Sequence, residues 1–204
     1  MTVTEIAFMR ARDDVPQAEL LSTMDQALDM QDEWCRAHQP TEPSGRAARA
    51  VAFWQSTDSP QELCLTTKWT SLEAHKEWIA SDANREVLEL VEQHVDITRA
   101  ELFHVDSDLF PDGSLAQAQH MSVSRGTVKP GTPKAELPPD SDNHASDSSA
   151  GWVMEDQPDG ALAFVRLQPS SEDGQLATAP NGSSPVLWKE TRGFRRLLQA
   201  EPLS

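Results

Sequence analysis

Between Val3 and Val105 the apolar positions switch between a two-residue period and a period near three and a half, the marks of strand and helix. Val3 to Arg10 (VTEIAFMR) reads as a first strand. Asp13, Asp14 and Pro16 then supply helix-start signals. From Leu20 the apolar positions Met24, Leu28, Trp34 and Cys35 predict a helix ending near His38, with Pro40 to Ser44 as its break. Ala50 to Ser56 and Glu62 to Trp69 read as two strands joined across the turn-rich Thr57-Asp58-Ser59-Pro60. Thr70 and Glu73 have capping-box spacing, so a helix is predicted from Ser71. A bend or break is expected at Ser81-Asp82, with continuation through Val87, Leu88, Val91 and Val95. Thr98 to Val105 closes the series as a strand. The order is βαββαβ, which buries one sheet face under two helices.

The chain changes character near residue 110. Met121 to Lys129 alternates like a strand and ends at Pro130-Gly131. Leu137 to Ala150 has almost nothing to bury and predicts a disordered loop. Gly151 to Asp156 and Ala161 to Leu167 form a second hairpin candidate, and Pro169 to Pro185 is polar again. A last helix is predicted over Lys189 to Ala200, with Phe194, Leu197 and Leu198 on one side. The pattern is a weak internal repeat: residues 1–110 as an intact half, 120–204 as a degenerate one with polar loops at 134–150 and 169–185. In this reading the second half has lost its first helix and its closing strand. The two halves imply a pseudo-dimer within one chain, either monomeric or paired into a homodimer that covers an open edge.

Composition narrows the function. The 204-residue chain has 33 acidic against 17 basic side chains, a formal charge of −16. Such a field repels phosphate backbones and argues against nucleic-acid binding. No apolar run approaches the roughly 20 residues that span a bilayer, and the N-terminus lacks the form of a secretory signal. Two cysteines without metal-like spacing, Cys35 and Cys64, suit reduced thiols and a cytoplasmic location. Six scattered histidines without H-x-H or H-x-x-x-H spacing argue against a metal site.

The segment from Cys64 to Ala83, CLTTKWTSLEAHKEWIASDA, resembles the strand and W-x-S-x-E-A-H helix of antibiotic-biosynthesis-monooxygenase proteins, and VTEIAFMRARDD resembles their first strand. RGTVKPG followed by GWVMEDQ is similar to the second unit of fungal members with two halves. The resemblance implies an α+β fold: a ferredoxin-like dimeric α/β barrel with a pocket between sheet and helices. It also implies a function among cofactor-free oxygenases, haem-degrading oxygenases, polyketide cyclases and isomerases, between which fold does not choose. The haem-ligating histidine of haem-degrading relatives aligns with Leu88, which disfavours haem. The Tyr and His of a polyketide cyclase of this fold align with Trp78 and Asn84, and this chain contains no Tyr.

The remaining chemistry rests on single residues. His75 shares a helix face with Leu72 and Ile79, which turns its imidazole toward the sheet. His104 alternates with Leu102 and Ala100 on the last strand and is a candidate partner for it. An imidazole near neutrality suits acid–base chemistry. Trp54, Trp69 and Trp78 are candidate walls for a hydrophobic ligand, and Arg10 is a candidate anion contact. The preferred reading is a cofactor-independent accessory enzyme of natural-product biosynthesis, cyclising, isomerising or dehydrating a hydrophobic small molecule. A cofactor-free monooxygenase and a non-catalytic ligand-binding or stress-response protein are the alternatives.

Overall fold

A computed structural model describes residues 1–111, 117–128, 149–157, 161–170 and 186–197, the stretch 186–190 as backbone. Its elements are β1 (Val3–Arg10), α1 (Gln17–His38), β2 (Ala52–Ser56), β3 (Glu62–Trp69), α2 (Leu72–Ile79), α3 (Asp82–Val91), β4 (Glu101–Val105), β5 (His120–Val128), β6 (Ser149–Trp152), β7 (Leu162–Pro169) and β8 (Val186–Arg196). A short 3-10 turn, Ile97–Arg99, precedes β4. Among the described residues no helix is long and apolar enough to cross a membrane.

Helix ends follow local chemistry. Ser71 caps α2, its hydroxyl accepting from the Ala74 N–H at 3.1 Å. The cap lies one residue beyond the Thr70 expected from the capping box. Thr70 instead gives its backbone N–H to the Glu42 carboxylate at 2.9 Å, and its hydroxyl bonds the same group. Of the bend or break expected at Ser81, the structure has the break. The Ser81 hydroxyl donates to the Trp78 carbonyl at 2.7 Å, ending one helix, and accepts from the Asn84 N–H at 3.0 Å, starting the next.

All strand pairings are antiparallel, and the order is β4-β1-β3-β2-β8-β5-β7-β6. The first four strands read 4-1-3-2, and the last four repeat that order as 8-5-7-6. The two outer edges meet at a bridge between Val105 and Val153. Flanking bonds run from Asp106 N–H to the Trp152 carbonyl (3.0 Å) and from Met154 N–H to the His104 carbonyl (2.8 Å). The sheet therefore curls into a nearly closed barrel made by two ferredoxin-like units of one chain, the intrachain pseudo-dimer that the repeat implies. Gly151 sits at this seam because a Cβ there would collide with the side chains of Val105 and Ser107.

One element overturns its expectation. The helix predicted from Lys189 is strand β8, and it is the closing strand that the second half was expected to lack. Phe194 is buried between an exposed Arg195 and a tightly held Gly193. Thr191 and Gly193 are poor helix formers. More decisively, the backbone is claimed on both sides, by β5 along its length and by β2 from Ser56 to Trp54. The polar loops predicted at 134–150 and 169–185 lie outside the described residues apart from their ends, in β6 and β7 and at Ser170.

The pleat sorts the core into two layers. Ile6, Trp54, Cys64, Phe103, Met121, Val165 and Phe194 fill the barrel. Leu20, Met24, Leu28, Phe53, Leu63 and Val91 pack the opposite face of the first half against its helices. Both cysteines are buried; burial pushes the Cys35 thiol up to about 11 and the Cys64 thiol higher still, which suits neither for attack.

Candidate active site

Glu5, Ala7 and Met9 alternate along β1 on the side facing the helices. Above them, between the sheet and α1, α2 and α3, lies a cavity of about 350 Å³. Its wall is mostly apolar, with Phe53, Leu65, Trp78, Val87, Val91 and Leu102 prominent. Four lining residues are polar: Glu5, Gln31, His75 and Asn84. Ile79, Leu88 and Leu102, 45%, 42% and 42% exposed, mark where it opens, between the α2–α3 break and β4.

His75 lies on the inward face of α2 and is buried. It stacks on Trp69 with ring centroids 4.7 Å apart. Its Nε2 is 3.3 Å from Glu5 Oε2, and the same carboxylate oxygen accepts from Trp69 Nε1 at 2.8 Å. Glu5 Oε1 makes no hydrogen bond among the described residues. On the other side His75 Nδ1 is 2.5 Å from His104 Nε2. His104 Nδ1 in turn meets Glu155 Oε1 at 2.6 Å, and the His104 backbone N–H donates to both Glu155 oxygens at 3.0 Å. Two carboxylates and two imidazoles thus form one line, from the cavity wall to a surface groove lined by Lys76, His104, Met154, Glu155 and Asp156.

Environment sets their charges. Burial pushes the His75 imidazole below its ordinary range, outweighing the attraction of Glu5; the neighbouring His104 acts in the same direction. Burial alone would raise Glu155, but hydrogen bonds from the His104 ring and backbone outweigh it and hold the carboxyl below its usual range.

The structure brings His75, His104, Trp69 and Trp78 together, Trp78 in the cavity wall and Trp69 behind the imidazole. It does not bring Trp54 or Arg10 there. Trp54 points into the barrel, where its Nε1 donates to Thr66 Oγ1 at 3.1 Å, and the adjacent Phe53 lines the cavity instead. All five residues of β2 are buried, so its sequence carries no alternation that tells one face from the other. Arg10 is half-buried opposite Glu62, at the end of β1 and on the other face from Glu5, Ala7 and Met9. Glu5, Gln31 and Glu155 are additions that the sequence reading missed. Glu5 had a signal, an acidic residue directly before the apolar run Ile6 to Met9 of β1. Glu155 had none, because its place depends on closure of the barrel seam.

No family model and no curated protein matches the chain. Solved structures do. A protein assigned as a chlorite dismutase is similar over 97% of this chain and 95% of its own, at 9% identity and a TM-score of 0.53. A protein assigned as an antibiotic biosynthesis monooxygenase, from Bordetella bronchiseptica, covers 53% of this chain and 98% of its own, at 20% identity and a TM-score of 0.39. SnoaB, a cofactor-independent oxygenase from Streptomyces nogalater, covers 54% and 97%, at 11% identity and a TM-score of 0.39. The full-length likeness identifies the fold as the dimeric α/β barrel. It does not carry haem with it. Among the described residues the one histidine in the cavity wall has both ring nitrogens engaged, by Glu5 and His104, and Leu88 stands at the mouth, so these residues do not fit an iron porphyrin.

Proposed function

We propose that the chain is a cofactor-independent acid–base enzyme that cyclises, isomerises or dehydrates a hydrophobic small molecule of the natural-product kind. One observation carries this reading: a carboxylate and an imidazole 3.3 Å apart are set into the wall of a mostly apolar cavity. Taking a carboxylate out of water costs several kcal/mol, and an apolar side chain would pack such a wall at less expense. Groups kept in a cleft against that cost are candidates for chemistry.

Each polar group has a part. Trp69 holds one oxygen of Glu5 and leaves Oε1 free to take a proton from a bound C–H or O–H acid. His75 backs Glu5 and shares its proton. Gln31 is 5% exposed, lines the cavity, and its amide oxygen is buried without a hydrogen-bond partner among the described residues. An unmet buried acceptor costs about 1–3 kcal/mol, and a ligand hydroxyl would satisfy it. The substrate is thus an apolar, ring-sized molecule with one polar group that meets Gln31 and an acidic position that meets Glu5. Both barrel halves come from one chain, so the working species in this reading is a monomer.

The test needs no knowledge of the natural substrate. 2-Tetralone is apolar, and its α-protons exchange with deuterium under base catalysis. The wild-type protein is expected to bind it and to speed α-deuteration in D2O, followed by NMR. Glu5→Gln is expected to lower that rate by about 100-fold, the lower end for a placed proton-transfer group. Binding without faster exchange would sink the enzymatic reading and leave a ligand-binding protein.

A further inference from the structure

We propose that His75, His104 and Glu155 form a proton conduit joining Glu5, at the cavity wall, to the surface groove on the far side of the α2–β4 contact. The inference rests on the acid–base reading of Glu5 and adds a route by which its proton is exchanged. The groups stand in one line: an ion-pair contact of 3.3 Å from Glu5 Oε2 to His75 Nε2, then hydrogen bonds from His75 Nδ1 to His104 Nε2 at 2.5 Å and from His104 Nδ1 to Glu155 Oε1 at 2.6 Å. The inner groups are buried: Glu5, His75 and His104 are 3%, 1% and 6% exposed. The outer end is wet, with the Glu155 side chain 39% exposed in the groove.

Donor and acceptor bookkeeping fixes what this line can do. Each neutral imidazole has one N–H and one bare nitrogen. Two neutral rings therefore supply two protons to three gaps, and a third proton fills the last one. Those three protons can occupy the line in two ways. In one, Glu5 carries its proton, both rings hold theirs on Nδ1, and Glu155 is the anion. In the other, every proton has crossed its own gap to the outer atom: Glu5 is the anion, both rings hold theirs on Nε2, and Glu155 carries a proton that it can give to water. Atoms and charge balance, and no ring becomes an imidazolium. That suits His75, whose burial disfavours the charged form. Glu5 is thereby switched between acid and base without water entering the cavity. Buried rings that cannot turn over are reset only by the reverse shift. The device therefore fits a reaction that borrows a proton and returns it, as isomerisation does.

Two neighbours complete the electrostatic setting. Lys76 and Asp156 face the groove beside Glu155. The conduit also crosses the barrel seam, since Glu155 belongs to the second unit and is positioned next to the Met154–His104 backbone bond. This gives the second unit a share in a site otherwise built by the first.

The conduit is tested on the unliganded protein labelled with 15N-histidine, whose ring 15N shifts report which nitrogen carries the proton. Interchange of the two arrangements gives both nitrogens of wild-type His75 averaged shifts. His104→Gln keeps a hydrogen-bonding side chain but cannot pass a proton through itself, so His75 is expected to show there the two separate shifts of one fixed tautomer. Leu88→Trp, which obstructs the cavity mouth, is expected to leave the averaging unchanged. A fixed tautomer in the wild type, or averaging that persists in His104→Gln, overturns the conduit. Should that variant fail to fold, judged by circular dichroism, Glu155→Gln with the same readout decides in the same way. Deuteration of 2-tetralone separates the two claims: if wild-type catalyses it and His104→Gln leaves the averaging unchanged, Glu5 is a base without a conduit.

Discussion

The two faces of the first-half sheet are built from alternate residues of the same strands, yet they are finished differently. Ile6, Trp54, Cys64 and Phe103 point into the barrel and meet Met121, Val165 and Phe194 from the second unit. At one end of that interior the gap beside Phe8 and Val123 is about 20 Å³, room for a single water. Glu5, Ala7, Phe53 and Leu65 point the other way and border a cavity of about 350 Å³. The contrast shows how the roof decides the face. A facing sheet offers side chains at strand spacing and fills the space from both sides. Two short helices broken at Ser81 leave a gap beneath the break, and that gap is where the polar groups gather.

The largest effect is expected where the packing is densest. Trp54 is fully buried, donates to Thr66 Oγ1, and lies under the Arg196 guanidinium at 4.7 Å from the ring centroid. Trp54→Ala should cost about 3–5 kcal/mol in urea unfolding, the usual range for truncating a buried Trp. A loss below about 1 kcal/mol would mean that the barrel interior is no more a packed core than the cavity side.

Glu5→Gln reverses the pattern. Gln can still accept from Trp69, so stability should move by no more than about 1 kcal/mol. Deuteration of 2-tetralone should fall by about 100-fold. A large stability loss with unchanged exchange would make Glu5 part of the architecture and erase the functional difference between the faces.

Acid should act on the line from His75 to Glu155. The folded value of His75 is lowered from 6.5, so between the two values the unfolded chain binds the extra proton and the folded one does not. Stability then rises with pH through that window. It is complete above pH 6.5 and is lost as the pH falls toward the folded value. Glu155, lowered from 4.5, adds a loss of the same sign at more acid pH. His75→Gln should flatten the upper window in urea titrations taken at stepped pH. An unchanged slope there would show that the imidazole is not held neutral.

Legibility in the sequence follows the range of the interaction concerned. β1 and β3 have the bounds that their alternation predicts, Val3–Arg10 and Glu62–Trp69, since local pattern and tertiary pairing agree there. The inward turn of His75 follows from its helix face in the same way. β8 was read as a helix because what makes it a strand, backbone pairing with β2 and β5, lies far away in the chain. Glu5 was overlooked because a Glu in an alternating strand ordinarily faces solvent, and only the helices above it show otherwise. Trp54 was assigned to the cavity because aromatic type reveals burial but not which face is buried. Glu155 is reached only through the seam bridge at Val105 and Val153, which no single segment specifies.

The smallest change in stability is expected at the boundary between the faces and the outside. Leu88 lines the cavity and is 42% exposed, so a larger side chain there has solvent to expand into. Leu88→Trp should alter unfolding by no more than about 0.5 kcal/mol, as surface substitutions do. It should weaken 2-tetralone binding by about tenfold, equivalent to 1.4 kcal/mol, because the indole occupies the way in. The barrel interior has no counterpart to this position, since its side chains are enclosed by both units. A ligand that binds Leu88→Trp as tightly as wild type must enter elsewhere, and the break between α2 and α3 would then be a feature of helix capping alone.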